Sequence, residues 1–372
     1  MMAPSHSKKK RSKGKGKEKS QNQHILPQIS STLLQLPREL RDQIYTCLFA
    51  SIRLTFGKRA TSRITTKTMK PATNALAILR ACRQINQEAG PLWLGQILFS
   101  FENPEDLLDK LSALASTTLS QIRHVRTGGC PLMLQPIEDD DDVYYRLVWV
   151  LKLLPGLRLD KLTVLGYSGG EIAYDTLEGL IKHGTGWREL HFITPNSTML
   201  GFGKRDMFMA DPYWRKPQPS TWNEILLQRD GTNSGASATI YRSTQSDTPG
   251  AVTSPRTRQI FEQNVSSLED LENFGVTEDK ELSAENEKGK ELLVVVKRGR
   301  SANIVERDGP PYESEEDIRQ WAHGMTWTEI RRQCIDFIMD EDEENDFHIE
   351  GDEEYEIDSY NQVDEYEWTH VN

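Results

Sequence analysis

Cysteine is scarce in this chain, and the four present (Cys47, Cys82, Cys130 and Cys334) never fall at a short spacing from one another. That excludes a disulfide framework and a CxxC metal pair, and it suits a reducing compartment. Long apolar runs are missing too. None approaches the roughly 18 residues of a spanning helix, so no membrane contact is expected. The N-terminus passes from basic into polar residues without an apolar stretch, which does not read as a secretory leader. Catalytic motifs are also lacking. The eight histidines include no HxxxH or HExxH, and no GxSxG occurs. GLIKHGTG (179–186) places Thr185 where a phosphate loop has Lys, and GFGKRD (201–206) reads as a turn. We expect no enzyme activity, no catalytic residue, no cofactor and no metal.

Apolar residues make up 37% and charged residues 27%. Globular domains hold about 45–50% apolar residues with glycine counted, so part of the chain is expected to be solvated tail. The net charge of −11 hides a polarity. SKKKRSKGKGKEK (7–19) carries eight Lys or Arg, whereas none follows Arg332, and DEDEEN (340–345) and GDEEYEID (351–358) are densely acidic. Like-charge blocks repel themselves and bury little, so both ends are expected to be disordered. Lys8, Lys9, Lys10, Arg11 and Lys13 form a nuclear-signal candidate, which favours the nucleus slightly over the cytoplasm. Specific nucleic-acid readout is not expected, since the basic run lacks interleaved aromatics and the chain is acidic overall.

Between the tails, LLQLPRELRDQIYTCLF (33–49) predicts one helix with Pro37 in its first turn. Leu36, Leu40, Ile44 and Leu48 recur every fourth residue, with Tyr45 and Phe49 beside them, and Arg38, Glu39, Arg41 and Asp42 fall on the solvated side. Periodicity alone leaves open whether the leucine stripe is a docking surface or core. Residues 51–71 read as one or two strands in a basic loop, with Gly57 as a turn. A helix is expected from an Asn74 cap to Gly90, a strand before Phe101, and a helix capped by Asn103 with Pro104, Glu105 and Asp106 in its first turn. Beyond 119, IRHVRT, KLTVLG and ELHFIT predict strands, with helices at 143–154 and 172–183 between them. That alternation favours parallel βα units. Residues 201–286 read mostly as linker around one strand candidate (237–243). A strand at 290–299 and a helix at 325–340 close the folded part, either within the middle sheet or as an appendage.

LPRELRDQIYTCLF followed by AILRACRQINQEAGPLWLGQILFSF resembles the F-box-like proteins expanded in filamentous fungi, including the type marked by an E-x-R signature, here Glu39-Leu40-Arg41. Matching positions include Leu36, Pro37, Glu39, Leu40, Arg41, Ile44, Tyr45, Leu48 and Phe49, then Arg80, Cys82, Arg83, Gln84, Ile85, Glu88, Ala89 and Pro91. The resemblance covers about residues 33–200. It implies a protein-interaction module in which Leu36, Pro37, Leu40, Ile44 and Leu48 dock the adaptor Skp1 of a cullin-based ubiquitin ligase. The basic 51–71 insertion replaces the short loop of that family and would pack where Skp1 would sit. The alternatives are a nuclear scaffold without a ligase role and a charge-driven nucleic-acid-associated factor.

The expected fold class is therefore α+β, an F-box-like helical module followed by an irregular leucine-rich βα region. Its divisions are a basic tail (1–30), the helical module (31–118), the βα region (119–200), a linker (201–286), a strand-plus-helix appendage (287–340) and an acidic tail (341–372).

Overall fold

The computed structural model describes residues 31–60, 66–72, 74–135, 143–166, 170–201, 217–263, 284–310 and 316–335, with single positions 282, 312 and 314 between them. Both charged tails, including the nuclear-signal lysines, lie outside the described residues. The chain divides into two compact units, residues 1–41 and 42–372.

In the first unit, α1 (Thr32–Gln35) stops at Leu36, which is extended at ψ 150°. A residue before proline is pushed out of the α region, so the single helix predicted over 33–49 is two. Pro37 precedes the second helix, α2 (Arg38–Ala50), instead of entering it, and its carbonyl accepts from the Arg41 amide. Arg41, expected in solvent, is buried and donates to the carbonyls of Leu36 and Leu34.

The second unit opens with the remainder of α2. Tyr45 and Phe49 are fully buried. A hairpin of β1 (Arg53–Ala60) and β2 (Thr66–Met69) follows. Gly57 lies inside β1 at φ 127° and makes no turn; a Cβ there would collide with the Asp106 carboxylate. The helix predicted from Asn74 is interrupted. A 3-10 turn (Ala77–Arg80) precedes α3 (Arg83–Ala89), whose cap is Cys82. Next come α4 (Trp93–Gln96), β3 (Leu98–Phe101) and α5 (Pro104–Leu111), where Asn103 Oδ1 accepts from Asp106 N at 2.8 Å as its cap pattern predicted. After α6 (Ser116–Leu119) and β4 (His124–Gly128), β5 (Leu132–Leu134) and β6 (Val143–Tyr145) pair as a separate hairpin. The helix expected over 143–154 therefore shortens to α7 (Leu147–Leu151). The β-branched and aromatic Val-Tyr-Tyr run takes the strand conformation instead. Then follow β7 (Leu159–Leu165), α8 (Gly170–His183) and β8 (Trp187–Thr194).

Residues 201–286, expected mostly as linker, hold α9 (Ser220–Asp230) and β10 (Arg258–Phe261) besides β9 (Ser237–Ser246), which extends the strand expected at 237–243. After the short α10 (Glu285–Lys288), the supposed appendage contributes β11 (Lys290–Lys297), which runs antiparallel between β8 and β9 inside the sheet. The last helix among the described residues, α11 (Trp327–Cys334), has a capping box of Thr326 and Glu329.

The main sheet has nine strands in the order β10-β9-β11-β8-β7-β4-β3-β1-β2. It therefore runs through every division drawn from the sequence between 51 and 297. The reason lies in pairing: β11 supplies the ladder that joins β9 to β8, and buried ion pairs lock its end. Arg298 makes a two-pronged pair with Asp230 at 2.7 and 2.8 Å and donates to Gly184 O at the end of α8. Lys152 lies 3.1 Å from Glu306, which also accepts from Thr185.

β1, β3, β4, β7 and β8 are parallel neighbours. Every crossover steps in the same direction, so right-handed connections place the helices on one face. Consistently, α5 packs on β1, β3, β4 and α7, α7 on α8, α8 on α9, and α9 on β9. The strands split by face accordingly. One face carries the register-matched row Leu54, Phe99, Val125, Leu162, Leu190 and Val296, all buried. The other carries Arg53, Leu98, His124, Lys161, Glu189 and Lys297 in register, one residue earlier on each parallel strand. At the far end of this polar face, Val252 closes over Leu165, Ile193 and Leu293.

Candidate docking surfaces

At 100° per residue, positions 41, 45 and 49 of α2 form one line, and 40, 44 and 48 form another rotated away from it. The structure separates these two lines. Tyr45 and Phe49 are 0% exposed, whereas Ile44 is 41% and Leu48 37% exposed. Leu40, in the first unit, is 45% exposed. Pro37 is exposed and Leu36 half-buried. Sequence periodicity had merged both lines into one apolar face.

The buried line is fastened by polar contacts. Tyr45 donates its hydroxyl to Glu88 Oε2 at 3.2 Å, and Gln84 donates to Glu88 Oε1 at 3.1 Å. Tyr45 and Glu88 are both buried. A buried carboxylate needs such donors to offset its desolvation. The Tyr45–Glu88 bond thus ties α2 to α3, while Gln84 holds Glu88 from within α3; all three are matching positions of the resemblance. At the helix end, the Ser51 hydroxyl and amide both donate to Leu48 O, fixing the turn that presents Leu48.

The polar sheet face is the feature that sequence reading passed over. Its signal lies in the alternation within HVRT, KLTVL and ELHFI, which puts His124, Arg126, Lys161, Thr163, Glu189 and His191 on one side. Arg126 donates to Ser100 at 3.1 Å across the sheet. Burial lowers the His191 pKa despite the opposing pull of Glu189, and burial likewise lowers that of His124. His191 Nε2 and the Glu189 carboxyl share a hydrogen bond, which is the chief cause holding the Glu189 pKa down. Burial also pulls Lys161 down, with Glu189 countering.

Elsewhere, the Asp106 carboxyl is pushed up to about 6 by burial, with Glu105, Asp109 and Glu102 adding to it and the Lys58 backbone opposing. Burial raises the Cys130 thiol to about 11, which makes it a poor nucleophile at neutral pH. Cys47 is exposed, and all four cysteines are free. Among the described residues, no group of three or more His, Cys, Asp or Glu is arranged to hold a metal. Among them, too, no helix is long and apolar enough to cross a membrane.

Compared with family models, with curated proteins and with solved structures, the chain matches none of them.

Proposed function

We propose that this chain is a protein-docking adaptor of the F-box-like kind. The observation that carries the proposal is the segregation on α2, where Ile44 and Leu48 stay exposed while Tyr45 and Phe49, one residue on from each, are fully buried. Exposed apolar side chains at a four-residue spacing are what a helix presents to a groove or to a partner helix. Leu40 continues the spacing by one turn. The Tyr45–Glu88 contact holds the helix by its other side, so partner binding need not disturb the core. Resemblance supplies Skp1 as the partner to test, and through it a role in presenting substrates to a cullin-based ligase. The basic run at 7–19 supplies the nucleus as the compartment to test.

The test is direct binding of the full chain to purified Skp1, followed by recovery of a cullin. Leu40→Asp combined with Ile44→Asp should abolish binding while circular dichroism stays unchanged. If the wild-type chain fails to bind Skp1, the ligase role falls. Survival of binding in the double variant would remove α2 as the dock.

A further inference from the structure

The hairpin of β5 and β6 forms its own two-stranded sheet, and its two faces differ. On one face Leu132, Leu134 and Tyr145 are buried. On the other, Met133 and Tyr144 lie directly opposite each other and are 46% and 57% exposed. A two-stranded hairpin is marginal in water and is stabilised by what packs on it. The outer Met133–Tyr144 pair therefore offers apolar area that a cover would bury.

The chain itself brings apolar residues to this spot. The Gln135 amide, just past β5, donates to Cys334 O at 3.1 Å, so α11 ends beside the hairpin. The helix expected to run to 340 stops at Cys334, and Ile335 sits at φ −129°, outside helical values. The buried stripe of Trp327, Ile330 and Cys334 ends with it. Residues 336–372 follow, outside the described residues. Their sequence opens with a short apolar run: Ile-Asp-Phe-Ile-Met (335–339) is apolar at four of five positions, and six acids fill the next seven.

Reach and charge both fit. The two residues from Ile335 to Phe337 span at most about 7 Å. Met133 lies two residues back from Gln135 along β5, again about 7 Å. Phe337 thus reaches Met133, and an aromatic ring against a thioether is a favourable contact. Direction follows from repulsion. The connection between β5 and β6 carries Glu138 and four successive aspartates, Asp139 to Asp142. Acids from 340 onward are driven away from that tip, so the segment runs back along β5 towards Leu132.

We propose that the outer face of the β5–β6 hairpin is the docking surface for the chain's own apolar run, with Phe337, Ile338 and Met339 lying over Met133 and Tyr144. The contact roots the acidic tail at this hairpin. A second copy or a foreign apolar peptide gains the same face only by displacing it.

Peroxide oxidation of the full chain, followed residue by residue with peptide mass spectrometry, tests this. Phe337→Asp with Ile338→Asp falls beyond α11 and should leave circular dichroism unchanged. Met133 should form its sulfoxide several-fold faster in that variant than in the wild-type chain, while half-buried Met325 keeps one rate in both. As a second measurement, a benzophenone side chain in place of Phe337 should crosslink to Met133 or Tyr144 within one molecule, at a yield independent of protein concentration. Equal Met133 rates in the two chains overturn the proposal. So do crosslinks that map to other elements, or that form only between molecules and assign the face to a second copy.

Discussion

The two faces of the nine-stranded sheet are built from the same strands one residue out of phase, yet they obey different chemistry. On β8, Leu190 and Phe192 point into the helix layer and are fully buried, while Glu189 and His191 point the other way and bond each other. On β7, Leu162 and Val164 alternate with Lys161 and Thr163 in the same manner. Burial of apolar area drives folding at roughly 25 cal/mol per Å², so the helix-covered face carries the stability. The opposite face instead buries polar groups such as Ser100, Arg126 and Thr163 and keeps an apolar cluster only around Val252 at its far end. Strand direction decides which face is which, because connections that always step the same way stack their helices together.

The sharpest way to break this contrast is to damage the covered face. Phe192→Ala should cost about 3–5 kcal/mol in urea unfolding, since it removes a fully buried ring and leaves a cavity. Arg298→Ala should come next, at about 3 kcal/mol, because Asp230 is left buried without its guanidinium. A smaller and pH-dependent effect is expected at Asp106, which α5 presses against β1. Its folded pKa is raised above the ordinary carboxylate value, so the stability it contributes is full below about pH 4 and lost as pH rises through about 6. Asp106→Asn should therefore gain about 1 kcal/mol at pH 7, after allowance for partial solvent screening, and nothing at pH 4. Equal gains at both pH values would show that the charge is not the cause. Smallest of all, Lys297→Ala on the polar face should shift stability by less than about 0.5 kcal/mol. A loss near that of Phe192→Ala would erase the distinction between the faces.

Much of this architecture is legible in the residues. The strands at IRHVRT, KLTVLG, ELHFIT and KELLVVVKRG, the parallel βα pairing and the Asn103 cap all follow from alternation, β-branching and cap chemistry. Other parts are decided by contacts distant in sequence. Around the strand expected at 237–243, residues 220–261 look like linker because Ser and Thr are frequent, yet they hold α9, which packs on β9, and β10, which pairs with it. The stripe on α2 shows the limit for the candidate site. Leu40, Ile44 and Leu48 are as apolar as any core stripe, and only the burial of Tyr45 and Phe49 beside them reveals which line faces inward. Nothing local marks that choice. It depends on Glu88, forty-three residues away, which takes the Tyr45 hydroxyl.

Placing β11 between β8 and β9 has a consequence for how the chain is made. Among the described strands, β9 can pair only with β10 until β11 is made, and its link to the parallel strands waits for residue 297. About sixty residues separate the start of β9 from the end of β11, which at about 5–20 residues per second is roughly 3–12 s of synthesis. During that interval, the edge of β8 and β9, joined by β10 once residue 261 is made, both present unfilled backbone donors and acceptors. The nascent protein thus passes through a stage in which its largest sheet is split in two and open to mispairing.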